Sequence, residues 1–202
     1  MFDKIFLILA LAISWSAAII ELLTTERMMI CVSYGIIVPI LIFVPRIIYK
    51  FHKGIRSRFN IKLVTSIECL ILLQIILNAP ASLWWHSMGF QYDRLLHFAV
   101  SMINVPLGIL IISAFVMGSS KKILGITVGM AIMGLMLFEG YQYSVDMVFG
   151  TQLFHDATQN IRIDVMEDIV LGILGVVAGV YLSISKLKIF NKLRVGGSYR
   201  KQ

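Results

Sequence analysis

Six long apolar runs constrain this chain more than any other feature. They cover residues 4–23, 28–49, 63–85, 95–117, 123–149 and 164–185. A membrane span needs about 20 mostly apolar residues. Lipid cannot hydrogen-bond a peptide backbone, so a spanning segment is a helix or part of a closed barrel. Unbroken apolarity without alternation of period two selects helices. Pro39, Pro45, Pro80 and Pro106 fall within or near the ends of these runs, where membrane helices tolerate them as kinks. The expected fold class is therefore all-α: a polytopic membrane helix bundle with six transmembrane helices. The first run follows Lys4 as a signal peptide would. No A-x-A site comes after it, however, and it is long enough to span, so it reads as the first transmembrane helix.

Composition agrees. Apolar residues make up 58% of the chain and charged residues 14%, against about half and about a quarter in a soluble domain. Four prolines and no low-complexity tract exclude disorder. A net charge of +7 would suit nucleic acid, but the basic residues sit in short blocks between apolar runs. That pattern orients a protein in a bilayer, and no nucleic-acid partner is expected. Cys31 and Cys69 lie inside apolar runs and read as buried thiols; no zinc-type spacing is present.

The basic blocks fix the expected orientation. Arg46, Lys50, Lys53, Arg56, Arg58 and Lys62 lie near the second connection, and Lys121 and Lys122 lie in the fourth. Lys186, Lys188, Lys192, Arg194, Arg200 and Lys201 lie in the tail. With Lys4, all of these fall on one side of a six-span topology. Only Arg27, Arg94 and Arg162 fall on the other. Lys- and Arg-rich loops stay in the cytoplasm, so both termini are expected there. Trp84 and Trp85 would close the third helix at the opposite interface. Membrane lipids are the expected surroundings, and the basic tail also suits contact with anionic lipid. The chain reads as one integral membrane domain, 1–202. Two leading helices and a basic cytoplasmic loop occupy 1–62, a four-helix core 63–185 and a basic cytoplasmic tail 186–202.

Ionisable residues inside a span cost about 2.5 to 3.5 kcal/mol each on the insertion scale, so their placement points to function. Most acids in this chain fall at or near the expected outer face. On the fourth helix, Asp93, His97, Ser101 and Asn104 recur at i, i+4, i+8 and i+11 and share one face. On the fifth, Glu139, Gln142, Tyr143 and Asp146 share another, and Glu139 lies about 15 Å inside the outer end at 1.5 Å per residue. A structural reading of Glu139 is an ion pair with Arg94. On the sixth, Asp164 and Asp168 stack above Gly172, Gly175 and Gly179, small residues that admit a neighbouring helix. A structural reading of Asp164 is a helix cap. Gly125 and Gly129 form a G-x-x-x-G packing pattern on the fifth helix. Convergence of the three faces would make a polar cavity in the outer third of the bilayer. Its expected members are Asp93, Arg94, His97, Glu139, Gln142, Asp146, Arg162, Asp164 and Asp168.

At these residues the chain resembles the VanZ-like membrane proteins. The shared pattern is Asp93-Arg94-x-x-His97-Phe98, then Glu139-x-x-Gln142, then Arg162-x-Asp164-x-x-x-Asp168-Ile169-x-x-Gly172-x-x-Gly175-x-x-x-Gly179. It covers roughly residues 92–182. The family usually has Asn at the position of Gly172, so no polar role carries over there. Two leading helices and a longer connection before the last helix are similar to the YjdF-like branch. The resemblance implies a multi-pass protein of a bacterial cell (inner or plasma) membrane and supplies no reaction.

Three functions compete at sequence level. The first is binding of a lipid headgroup, a cell-wall precursor or a glycopeptide in the outer cavity, with Arg94 and Arg162 meeting phosphate or carboxylate. The second is a membrane-embedded enzyme acting on an outer-leaflet lipid. Its candidate catalytic residues are Glu139, His97 and Asp168, and a divalent cation would be held by His97, Glu139, Asp164 and Asp168. The third is a proton-coupled transporter using Glu139, with Glu68 as a lone acid in the inner half.

Overall fold

The computed structural model describes residues 2–24, 32–58, 61–80, 92–116, 118–149 and 160–193. Its helices form two compact units, Met1–Trp84 with Lys186–Gln202, and Trp85–Ser185.

The first unit contains α1 (Phe2–Thr24), a π-helical turn (Ser33–Ile37) leading into α2 (Val38–Phe51), the short α3 (Lys53–Arg58) and α4 (Ile61–Pro80). The π turn has a local cause. Pro39 has no N–H, so it cannot donate to the carbonyl four residues back, Gly35, nor to the one five residues back, Tyr34. Side chains of α1 supply donors instead: Ser14 donates to the Tyr34 carbonyl, and the Trp15 indole N–H donates to the Gly35 carbonyl over 3.3 Å. Ala10, Ala17, Tyr34, Ile42, Leu72 and Ile75 form the apolar core where α1, α2 and α4 meet.

Below that core, Arg46 grips Glu68 with two parallel bonds, Nε to Oε1 at 2.9 Å and Nη2 to Oε2 at 2.7 Å. The Glu68 side chain is fully buried. Arg46 thus serves as an interhelical partner on α2 as well as a charge beside the loop. The lone inner acid of the transport reading is held by it. The helix at 61–80 packs on α1 and α2.

The second unit contains α5 (Tyr92–Phe115), α6 (Ser120–Phe149) and α7 (Ile161–Leu193) as far as Ser185. Val105, Ile109, Ile112, Ile123 and Val176 make its apolar core. Glycines set how closely α7 approaches α5. A Cβ on Gly179 would lie 2.5 Å from the Met102 carbonyl oxygen, and one on Gly175 would strike the Phe98 carbonyl oxygen. Only a hydrogen at these positions lets the backbones come together. Gly125 and Gly129 behave differently: nothing lies within 4 Å of a Cβ built on either, so this G-x-x-x-G pattern packs no described neighbour.

Five described helical stretches are long and apolar enough to cross a bilayer: Tyr34–Phe51, Ile61–Asn78, Tyr92–Phe115, Ser120–Phe149 and Ile161–Ile184. The first expected span coincides with α1, 23 residues long, whose described apolar stretch is the shorter Leu7–Ile20. Large apolar side chains cover the outside. Ile8, Leu23, Met133, Leu137 and Val177 are each more than half exposed, a surface suited to acyl chains and unlike that of a soluble monomer.

Several local expectations change. The last helix starts at Ile161, before Asp164, because Asn160 caps it: its side-chain oxygen accepts from the Arg162 backbone N–H at 3.0 Å. It also runs on to Leu193, beyond the expected end at 185. Cys69 is exposed on α4, because it points away from the α1–α2–α4 core. Cys31, Trp84 and Trp85 lie outside the described residues.

Candidate functional site

The polar end of the second unit is built from the first turns of α5 and α7 and the last third of α6. Each helix contributes the face that its spacing defines. On α5, Asp93 and His97 are one turn apart, and the buried Ser101 lies below them. On α7, Asp164 and Asp168 are likewise one turn apart, and both are buried. On α6, Glu139 is 1% exposed and Asp146 is 2% exposed.

His97 is the hub. Its Nδ1 lies 3.1 Å from Glu139 Oε1 on α6. On the other edge of the ring, Nε2 lies 3.6 Å from Asp93 Oδ2 and 3.8 Å from Asp168 Oδ2 on α7. The imidazole side chain is 10% exposed, and those of Glu139 and Asp168 are 2% and 4% exposed. One ring therefore meets carboxylates from all three helices. Burying charges at this density costs several kcal/mol per ion unless they are paired and hydrogen-bonded.

The hydrogen bonding is incomplete. Glu139 Oε1 and Asp168 Oδ1 are fully buried and make no hydrogen bond. Glu139 Oε1 approaches Nδ1 to 3.1 Å without meeting the geometry of a hydrogen bond. Such orphaned oxygens are rare in folded proteins and mark a missing partner or a stored strain.

Arg94 takes a different partner from the one the sequence suggests. It pairs with Glu167 on α7, while Glu139 faces His97. Sequence reasoning left Glu167 out of the site. The available signal was its position between Asp164 and Asp168, on the flank of the helix that Arg94 reaches. Beside this pair runs a groove of about 580 Å³ lined by Arg94, Arg162, Ile163, Met166, Glu167, Val170 and Leu171. Arg162, exposed in the first turn of α7, has no ion-pair partner among the described residues.

The expected members thus divide by position. Asp93, His97, Glu139 and Asp168 come together around one imidazole. Arg94 and Arg162 line the groove. Asp146 and Asp164 are buried on the same helices, and Gln142 is partly buried one turn from Glu139. Of the four groups expected to hold a cation, His97 and Asp168 each present a ligand atom, and Asp93, which was not among the four, presents a third, all within 4.8 Å of one another; Glu139 and Asp164 are not in that set.

No curated protein and no solved structure shows significant similarity to the chain. A family model does match, over residues 4–188, nearly the whole length. By that match the chain belongs to the family described as "Predicted membrane protein (DUF2238)".

Proposed function

We propose that this protein binds a phosphate-bearing membrane lipid, or the lipid-linked end of a cell-wall precursor, in the groove beside α5 and α7. The observation that carries the reading is the make-up of that groove. Its lining combines two guanidinium side chains, Arg94 and Arg162, with the apolar Ile163, Met166, Val170 and Leu171. Guanidinium groups suit phosphate oxygens, and an apolar lane suits an acyl or prenyl chain. The volume of about 580 Å³ falls in the range of small-molecule sites. Glu167 also lines it, and its pairing with Arg94 leaves the groove with a cationic surplus supplied by Arg162.

In this reading all six apolar helices cross the membrane with both termini in the cytoplasm. The groove then opens to the outer leaflet of a bacterial cell membrane. The residues that carry the resemblance to VanZ-like proteins lie on α5, α6 and α7, two of which line the groove.

The test is lipid binding by the full chain in nanodiscs, comparing phosphatidylglycerol with phosphatidylcholine. An arginine near anionic headgroups contributes about 1 kcal/mol, so Arg162→Gln should weaken binding of the anionic lipid roughly fivefold and leave phosphatidylcholine unaffected. Equal affinity for the two lipids, or an Arg162→Gln variant indistinguishable from wild type, would refute the proposal.

A further inference from the structure

We infer that Asp93, His97 and Asp168 form a binding site for a divalent transition-metal ion, with Glu139 orienting the histidine from behind. The site is distinct from the lipid groove and does not depend on it.

The spacing of the donors is the first argument. His97 Nε2 stands 3.6 Å from Asp93 Oδ2 and 3.8 Å from Asp168 Oδ2. Those separations exceed a hydrogen bond. They come within a few tenths of an ångström of what a shared ion requires, because a tetrahedral centre with bonds of about 2.0–2.2 Å holds its donors about 3.4 Å apart. All three ligand atoms lie within 4.8 Å of one another.

The second argument is independent of the cluster's composition. Asp168 is 3% exposed, and its Oδ1 has no hydrogen-bond partner. Its other oxygen, Oδ2, faces the imidazole at 3.8 Å, beyond hydrogen-bond reach of that ring. An ion between the groups, bound by the carboxylate through both oxygens, gives Oδ1 a partner and offsets the two aspartates in a low-dielectric setting.

The third argument concerns the far side of the ring. Metal-bound histidine usually gives its other N–H to a carboxylate, which fixes the tautomer and raises ligand basicity. Glu139 Oε1 stands 3.1 Å from His97 Nδ1 with no hydrogen bond formed, so it is free to take that N–H when an ion on Nε2 sets the ring. Glu139 lies on a different helix from either aspartate. An ion would therefore tie α5 to α7 directly, and α6 to both through the ring. A mixed set of one imidazole and two carboxylates suits Zn²⁺ or Mn²⁺. Three protein ligands leave a coordination position open.

The test uses full-length protein in detergent with metal ions alone. After loading with Zn²⁺ or Mn²⁺ and desalting, elemental analysis should find about one ion per chain. Titration calorimetry gives the affinity, and Mn²⁺ adds a paramagnetic resonance signal. His97→Ala and Asp168→Asn should abolish retention. Asp93→Asn changes the most exposed ligand and is the variant least prone to misfolding; it should weaken binding at least tenfold. Glu139→Gln should retain a measurable site at 10- to 100-fold lower affinity, as expected for an outer partner. Wild-type protein that binds neither ion would overturn the proposal. So would variants that elute as folded monodisperse protein and still carry a full equivalent. Unchanged affinity in Glu139→Gln would remove Glu139 from the site. Because no lipid enters the measurement, failure here and failure of lipid binding are separately visible.

Discussion

Replacing Arg46 by Met should destabilise the first unit far more than loss of an ordinary surface charge. The Glu68 side chain is fully buried and receives both of its bonds from Arg46, which is itself 29% exposed. Removing one partner of a buried pair costs about 3 to 5 kcal/mol, most of it from the charge left behind. Partial exposure of Arg46 places this case at the lower end, about 3 kcal/mol, or roughly a hundredfold in the unfolding equilibrium. The same reasoning predicts rescue. In Arg46→Met/Glu68→Met both charges are gone and two flexible apolar chains fill the space, so stability should return to within about 1 kcal/mol of wild type. Circular dichroism of the detergent-solubilised protein, followed through a titration with sodium dodecyl sulfate, measures all four corners of the cycle. A single variant within 1 kcal/mol of wild type, or a double variant no better than the single, would refute the claim that uncompensated charge drives the loss.

Three further outcomes follow from the packing and the groove. Gly179→Ala places a carbon 2.5 Å from the Met102 carbonyl oxygen; it should cost about 1 to 3 kcal/mol, whereas Gly125→Ala, with open space around it, should be neutral or stabilise by up to about 1 kcal/mol in the same titration. Asn160→Ala removes the cap of α7 and should cost about 0.5 to 2 kcal/mol, visible as faster amide exchange in the first turn of that helix. Glu167→Gln removes the carboxylate that holds Arg94, so binding of phosphatidylglycerol should tighten by about fivefold; weaker binding in the nanodisc assay would show that Glu167 positions Arg94 for the headgroup.

What the sequence made legible was local. Apolar run length gave the helices, because hydropathy summed over one segment does not depend on its neighbours. Helical spacing gave the faces, so Asp93 with His97 and Asp164 with Asp168 could be placed together on their helices. Partner choice was not legible. Arg94 takes Glu167 instead of Glu139, and Arg46 leaves the loop charges to hold Glu68. Both depend on how far each helix is rotated and how deep it sits, which no single segment encodes. The glycines show the same limit. Gly175 and Gly179 meet backbone carbonyls, while Gly125 and Gly129, equally regular in spacing, meet nothing among the described residues. Asn160 is a cap-type residue, but the polar first turn that it opens lies outside the apolar run that marks the helix.

The turn at Ser33–Ile37 carries a consequence for how the protein is made. Pro39 offers no amide to the turn before it, so one carbonyl there lacks its helical donor, at several kcal/mol if that oxygen enters hydrocarbon bare. Ser14 and Trp15 meet the Tyr34 and Gly35 carbonyls from α1. The second helix is thus completed by the first: a chain stripped of α1 would have to meet this turn's hydrogen bonds in another way before α2 could shed its water.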